Sequence, residues 1–196
     1  MIVGPRDSLY EGGFLFFNIY FPKNYPFSPP DITYIPRNNI RIHPNLYVGN
    51  GTNGHGKICL SILGTWSGPK WTTIMDISTV LLTIQSLLDK NPLHHEPGQE
   101  NNETDLNKLY NEVIKYQSIQ SLTIKNIKSP PDGFHIFLDS MKNELHNYKE
   151  NILLFLENNK HKKRKSIAIG FYRINTILNY RELYSNYNVL ESEIFT

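Results

Sequence analysis

Cysteine is almost absent: Cys59 is the only one in 196 residues. A lone thiol excludes an internal disulfide, and with it the disulfide-stapled secreted scaffolds, so the chain is expected in a reducing compartment, cytoplasmic or nuclear. Alanine is scarcer than in most proteins, with Ala168 alone; that reads as the compositional bias of an AT-rich genome and carries no mechanism. No apolar run approaches the roughly 18 residues of a membrane span, and the start lacks the basic-then-apolar order of a secretory leader. An excess of one charge is missing too. With 20 Lys and Arg against 18 Asp and Glu, the net charge is +2, spread along the chain, which speaks against nucleic acid or a membrane as partner. What these absences leave is a chain long enough for one domain with a real core plus an extension, and too short for two large domains.

What is present falls into three stretches. From Phe14 to Phe21 aromatic and aliphatic residues are nearly continuous, as in a strand covered on both faces, and Ile32 to Tyr34 alternate as a second strand. Pro22, Pro26, Pro29 and Pro30 stiffen the connection between them. Pro36 to Trp71 is rich in turn formers and poor in periodicity, and an irregular segment of that length inside a domain is a place to look for function. The helical period then takes over. Thr73 and Asp76 read as a short capping box ahead of Ile77, Val80, Leu81, Ile84, Leu87 and Leu88, and 103–117 repeat the pattern. After Pro130 and Pro131, Phe134 to Phe155 predict one long amphipathic helix, and 167–185 predict another. Strands, an irregular centre and then helices define an α+β fold.

Cys59 lies in the irregular centre, between Ile58 and Leu60. A nucleophilic thiol needs access and thiolate character, which a neighbouring cation such as Lys57 can promote, while Gly54 and Gly56 allow a bulky partner to approach the backbone. If the thiol attacks an acyl carbon, the oxyanion calls for a fixed donor. The Asn45 side-chain amide, in a turn held by His43 and Pro44, meets that need. The alternative stands beside it: free cysteine is among the most buried residue types, and a Cys between Ile and Leu also reads as core. His43, His55, His94 and His95 do not complete a metal-ligand spacing with any carboxylate or second thiol, so no metal is expected.

The motifs "GPRDSLYEGGFLFFNIYFPKNYPFSPPDITY", "HPN" at His43–Asn45, "GKICLSIL" around Cys59, Trp71 and "ISTVLLTIQSLLDKNP" together resemble the catalytic core of the ubiquitin-conjugating (E2) enzymes over most of residues 3–98. The resemblance implies an antiparallel β-meander flanked by helices. It also implies that Cys59 accepts ubiquitin, or a ubiquitin-like modifier, as a thioester from an activating enzyme and passes it to a substrate lysine, with a ligase holding the complex. By the same match, Asn45 stabilises the oxyanion or orders the loop, and His43 shapes the turn. Phe27 and Pro69 fall in the regions that meet ligases. No cofactor is implied, because ATP is consumed earlier, by the activating enzyme.

"LGTWSGPKW", "NPLHHEPG" and "YNEVIKYQSIQSLTI" are similar to the larger, C-terminally extended members, which divides the chain into a core at 1–125 and a helical C-terminal extension at 126–196. Three departures from the family pattern carry expectations of their own. "GNGTNGH" reads as a loop insert between Asn45 and Cys59. Where many members carry an acidic residue that helps deprotonate the incoming lysine, this chain has His94, His95 and Glu96, so His95 or Glu96 takes that role. The family's first helix and first strand precede the Gly4–Pro5 motif, where this chain has only Met1 to Val3, so the Phe14–Phe21 strand is expected to show an unpaired edge. The functional alternative is a non-catalytic module binding ubiquitin or a ligase through the same surface. The basic run His161 to Lys165 reads as a solvated loop ahead of a nuclear import signal.

Overall fold

The computed structural model describes residues 1–49, 54–101 and 103–195. Its first sheet is an antiparallel meander of β1 (Ile2–Val3), β2 (Phe14–Tyr20), β3 (Asp31–Ile35) and β4 (Gly56–Lys57), in that order. The first strand is therefore not wholly missing: Ile2 pairs with Leu15 and Val3 with Phe14. Coverage of β2 on both faces stops at Phe17; Asn18 is exposed and Tyr20 is 64% exposed. Between β3 and β4 the described residues, 36–49 and 54–55, form no named strand or α-helix, as their turn formers predict.

α1 (Ile77–Leu87) buries Val80 and Ile84 from the expected stripe. Its cap differs from the expectation. Asp76, not Thr73, is the capping residue, accepting from the Thr79 backbone N–H at 2.8 Å and from the Thr79 hydroxyl at 3.0 Å. The short aspartate side chain reaches an N–H three residues ahead, which satisfies a donor that the first turn leaves orphaned.

α2 (Asp105–Gln117) runs through a π-helical stretch, Ser118–Ile124, into α3 (Lys125–Lys128), so helical backbone passes residue 125 without a break. This segment carries the polar groups that fasten the meander. The buried Thr123 hydroxyl donates to the Gly12 carbonyl at 2.9 Å, and Asn126 Nδ2 donates to the Phe14 carbonyl at 2.6 Å. Gly12 and Gly13 make room for these neighbours. A Cβ at Gly12, whose φ is +74°, would meet Ile152 at 2.8 Å, and one at Gly13 would meet the Ser118 hydroxyl at 2.9 Å.

The C-terminal region departs furthest from the sequence reading. The single helix expected over 134–155 is two, α4 (Leu138–His146) and α5 (Lys149–Asn159), with Asn147 and Tyr148 between them. The helix expected over 167–185 is instead a hairpin, β5 (Lys165–Ile169) with β6 (Ile174–Leu178), followed by α6 (Tyr180–Phe195). The extension packs on the meander: the Phe134 ring centre lies 4.8 Å from that of Phe16, and Phe137 lies 6.4 Å away. Those aromatic contacts bury the apolar start of β2. The run His161 to Lys165 is exposed, and Lys162 and Lys165 pair with Glu112. Among the described residues no helix is long and apolar enough to cross a membrane.

Candidate active site

Cys59 lies two residues past the end of β4, after Ile58, and both its backbone groups are taken by Asn45. Its N–H donates to the Asn45 carbonyl at 2.9 Å, and Asn45 Nδ2 donates to the Cys59 carbonyl at 2.6 Å. Expected proximity is thus realised as a reciprocal lock. An amide nitrogen carries two N–H groups, so one remains for an oxyanion after the first is bound. Behind Asn45, its backbone N–H donates to His43 Nδ1 at 3.0 Å, while His43 Nε2 lies 3.0 Å from the Leu87 carbonyl. A carbonyl only accepts, so the ring carries its proton on Nε2 and accepts at Nδ1. Burial, then the neighbouring His95 and Arg41, push the His43 pKa down to about 3, so it is neutral at working pH. Two buried tyrosine hydroxyls hold the approach to this turn: Tyr10 donates to the Ile42 carbonyl at 2.5 Å and Tyr110 to the Arg41 carbonyl at 2.7 Å.

Downstream of the thiol, Thr65 folds the chain back on itself. Its hydroxyl donates to the Ile58 carbonyl at 2.6 Å and accepts from the Leu60 N–H at 2.9 Å, so carbonyls and amides on both sides of Cys59 are fixed. Cys59 itself is 4% exposed and lies on the floor of a small groove shared with Arg41, Pro44, Asn45, Tyr47 and Trp66. His95, Glu96 and Pro97 form its other wall. His95 Nε2 lies 2.9 Å from the Asp89 carboxylate, and its ring sits 5.0 Å from that of His43. The Glu96 carboxylate accepts from the Tyr172 hydroxyl at 2.5 Å.

The structure differs from the sequence reading at Gly56 and at the cation. Gly56 serves the chain itself rather than a partner: a Cβ there would fall 1.7 Å from the Tyr47 carbonyl oxygen, while one at Gly54 would meet nothing. The cation lining the groove is Arg41, and Lys57 is an exposed residue of β4. Arg41 sits over the Tyr47 ring at 3.5 Å and near the Tyr172 ring at 4.3 Å. Sequence reasoning missed Arg41, Thr65 and Tyr172. Arg41 and Thr65 flank the motif and carry no periodic signal; Tyr172 reaches the wall only through the hairpin. The "GNGTNGH" insert at 49–55 has its centre, 50–53, outside the described residues. Among the described residues no group of three His, Cys, Asp or Glu is placed to hold a metal.

A second surface lies beside the first. Phe27, 78% exposed, and Trp66, 49% exposed, line an open groove with Pro29, Ser61, Lys70 and Trp71, and Trp71 Nε1 donates to the Pro26 carbonyl at 2.7 Å.

The fold is thus an antiparallel meander with helices around it, and its irregular centre holds a cysteine whose backbone is fixed by Asn45 in a small groove. Residues 1–120 match the family described as "Ubiquitin-conjugating enzyme", and the chain belongs to that family. Similar relatives include ubiquitin-conjugating enzyme E2 Z of Xenopus tropicalis, 38% identical over 157 residues, 76% of this chain and 48% of that protein. The Homo sapiens protein of the same name is 45% identical over 124 residues, 61% of this chain and 33% of that protein. A probable ubiquitin-conjugating enzyme of Caenorhabditis elegans is 37% identical over 145 residues, 68% of this chain and 19% of that protein. The chain spans about half the length, or less, of these curated relatives.

Proposed function

We propose that this chain accepts ubiquitin, or a ubiquitin-like modifier, as a thioester on Cys59 from an activating enzyme and transfers it to a substrate lysine. The observation that carries this reading is the reciprocal Asn45–Cys59 lock beside the Arg41–Glu96 groove, in a member of the ubiquitin-conjugating enzyme family. The steps balance without a cofactor. Cys59 thiolate attacks the modifier's C-terminal carbonyl on the activating enzyme's thioester, whose own thiolate leaves. A substrate amine, having given its first proton to a base, then attacks the Cys59 thioester; the C–S bond breaks, the amine loses a second proton as the isopeptide forms, and the departing thiolate takes up a proton. Each tetrahedral intermediate puts negative charge on the former carbonyl oxygen, where the spare N–H of Asn45 is worth most.

Of the two candidates for receiving the lysine proton, the geometry favours Glu96. Both line the thiol groove and both are engaged, His95 Nε2 with Asp89 and the Glu96 carboxylate by the Tyr172 hydroxyl, but a carboxylate that accepts one hydrogen bond keeps further lone pairs for a proton. His95 then shapes the wall. The Phe27–Trp66 surface is the docking face for a ligase, whose apolar side chains would cover those two aromatics. The chemistry requires Cys59 reduced, which agrees with a cytosolic or nuclear site of action. Functionally we divide the chain into a conjugating core through residue 125 and an extension after it that tunes the core.

The test is an adduct assay with ubiquitin, ATP and a panel of activating enzymes. Wild type should form an adduct that a thiol reductant dissolves, and Cys59→Ser should form one that the reductant does not, because an oxyester resists thiol exchange. A folded wild-type protein that charges with no activating enzyme would contradict the reading.

A further inference from the structure

The β5–β6 hairpin ends in a turn, 170–173, that reaches back to the thiol groove. Its Tyr172 makes three contacts there. The hydroxyl donates to Glu96 at 2.5 Å, the ring lies 4.3 Å from the Arg41 guanidinium, and the ring centre is 5.9 Å from that of Tyr110, which itself holds the Arg41 carbonyl. Among the described residues, Tyr172 supplies the hydrogen bond to the Glu96 carboxylate. Burial, and then the bond to Glu96, push the phenol's pKa upward, so it remains a donor throughout the working range.

The backbone that delivers it is unusual. Tyr172 has φ +59° and Arg173 φ +53°, two consecutive left-handed residues with side chains, in a tight turn where glycine or asparagine would be comfortable. Strain of this kind persists where surrounding contacts over-determine it, and here those contacts are the groove residues Glu96 and Arg41. The strained turn also spends a large aromatic where a small polar residue would close the hairpin equally well.

From this geometry we infer that Tyr172, contributed by the C-terminal extension, is a positioning residue of the thiol site: its hydroxyl orients Glu96 towards the incoming lysine, and its ring, with Tyr47, brackets Arg41 beside Cys59. The inference rests on the conjugating reading above. It separates two steps of the reaction. Loading requires no amine deprotonation, so it does not use Glu96, whereas discharge to lysine does.

The experiment is single-turnover discharge of the preloaded thioester to free lysine over a range of lysine concentrations, with loading measured in the same preparation as the reference. Tyr172→Phe keeps the ring over Arg41 and removes only the hydroxyl; the ratio of saturating discharge to loading should fall about tenfold, the scale of one hydrogen bond to a charged group. Tyr172→Ala, which also unstacks Arg41, should fall further. In a Glu96→Gln background, Tyr172→Phe should add nothing. A melting profile for each variant verifies the fold. Wild-type protein that fails to load overturns the conjugating reading and this inference together. Protein that loads, with Tyr172→Phe discharging at the wild-type rate, overturns the inference alone, as does a tenfold loss that persists undiminished in Glu96→Gln.

Discussion

On one side of the thiol groove, His43 and Asn45 are tied to each other, to Cys59 and to Leu87, all within the core. On the other, Glu96 is tied to Tyr172, 76 residues further along the chain. The first wall is a closed set of hydrogen bonds around a buried neutral imidazole. The second is completed only when the extension folds against the core. One wall suits a step common to every turnover, stabilising the tetrahedral intermediates. The other suits a step in which partners differ, accepting a lysine. The nucleophile is held from within and the acceptor side from a remote hairpin, and Arg41, which donates to the Pro44 carbonyl and lies 4.3 Å from the Tyr172 ring, links the two.

The largest break should come at the internal wall. Asn45→Ala removes the amide from both the Cys59 carbonyl and the oxyanion, and transfer to lysine should fall by about 10²–10³, measured as single-turnover discharge. At the remote wall, Glu96→Gln should cost about a hundredfold in the same assay, near the lower end for a positioned base, because solvent still accepts the proton. Loading should be affected by Asn45→Ala and largely spared by Glu96→Gln; equal losses in both steps for both variants would erase the distinction between the walls.

Smaller effects should be seen in stability. Asn126→Ala strips the donor from the buried Phe14 carbonyl and should destabilise the fold by about 1–3 kcal/mol in denaturant titrations, without a selective effect on loading. His43 supplies a pH dependence whose sign follows from its depressed pKa. Folded, it titrates at about 3, against 6.5 in its ordinary state. Between those values the unfolded chain binds the additional proton, so the His43 contribution is complete above pH 6.5 and is lost as pH falls towards 3. Stability should drop by about 1.4 kcal/mol per pH unit below 6.5 from this group. His43→Gln should flatten the difference in unfolding free energy between pH 7.5 and 5.5; an unchanged difference would mean that His43 is not held neutral.

How much of this was legible in the sequence divides along the same line. The internal wall was: His43, Pro44, Asn45 and Cys59 sit in two short motifs, for which local chemistry offered a part beside that of a core cysteine and the family resemblance chose between them. Of the meander, the two longer strands were legible from apolar runs bounded by prolines, while β1 and β4, two residues each, are too short to leave a periodic signal, and the meander itself came from the family resemblance. Helix periodicity was blind to the break at Asn147–Tyr148, because Met141, Leu145, Ile152 and Leu156 keep one buried face across it. The hairpin was missed for a different reason. Its strands alternate, with Ile167 and Ile169 buried and Ser166 and Ala168 exposed, but the one glycine of its turn, Gly170, is not at a left-handed position, which Tyr172 and Arg173 occupy instead, so the usual two-residue hairpin signal is absent. With the turn unread, the juxtaposition of Tyr172 and Glu96 had no trace in local sequence. His95 and Glu96 were named by family position alone; the hydrogen bond from Tyr172 to Glu96 required the fold.

The central claim is that Cys59 carries an acyl group, and the most direct test is intact-mass analysis of the protein after incubation with ubiquitin, ATP and activating enzymes. The account predicts a mass increase of one ubiquitin less one water, lost on adding a thiol reductant, absent in Cys59→Ala and reductant-resistant in Cys59→Ser. An adduct of that mass that survives reduction in the wild type, or that persists in Cys59→Ala, would contradict it.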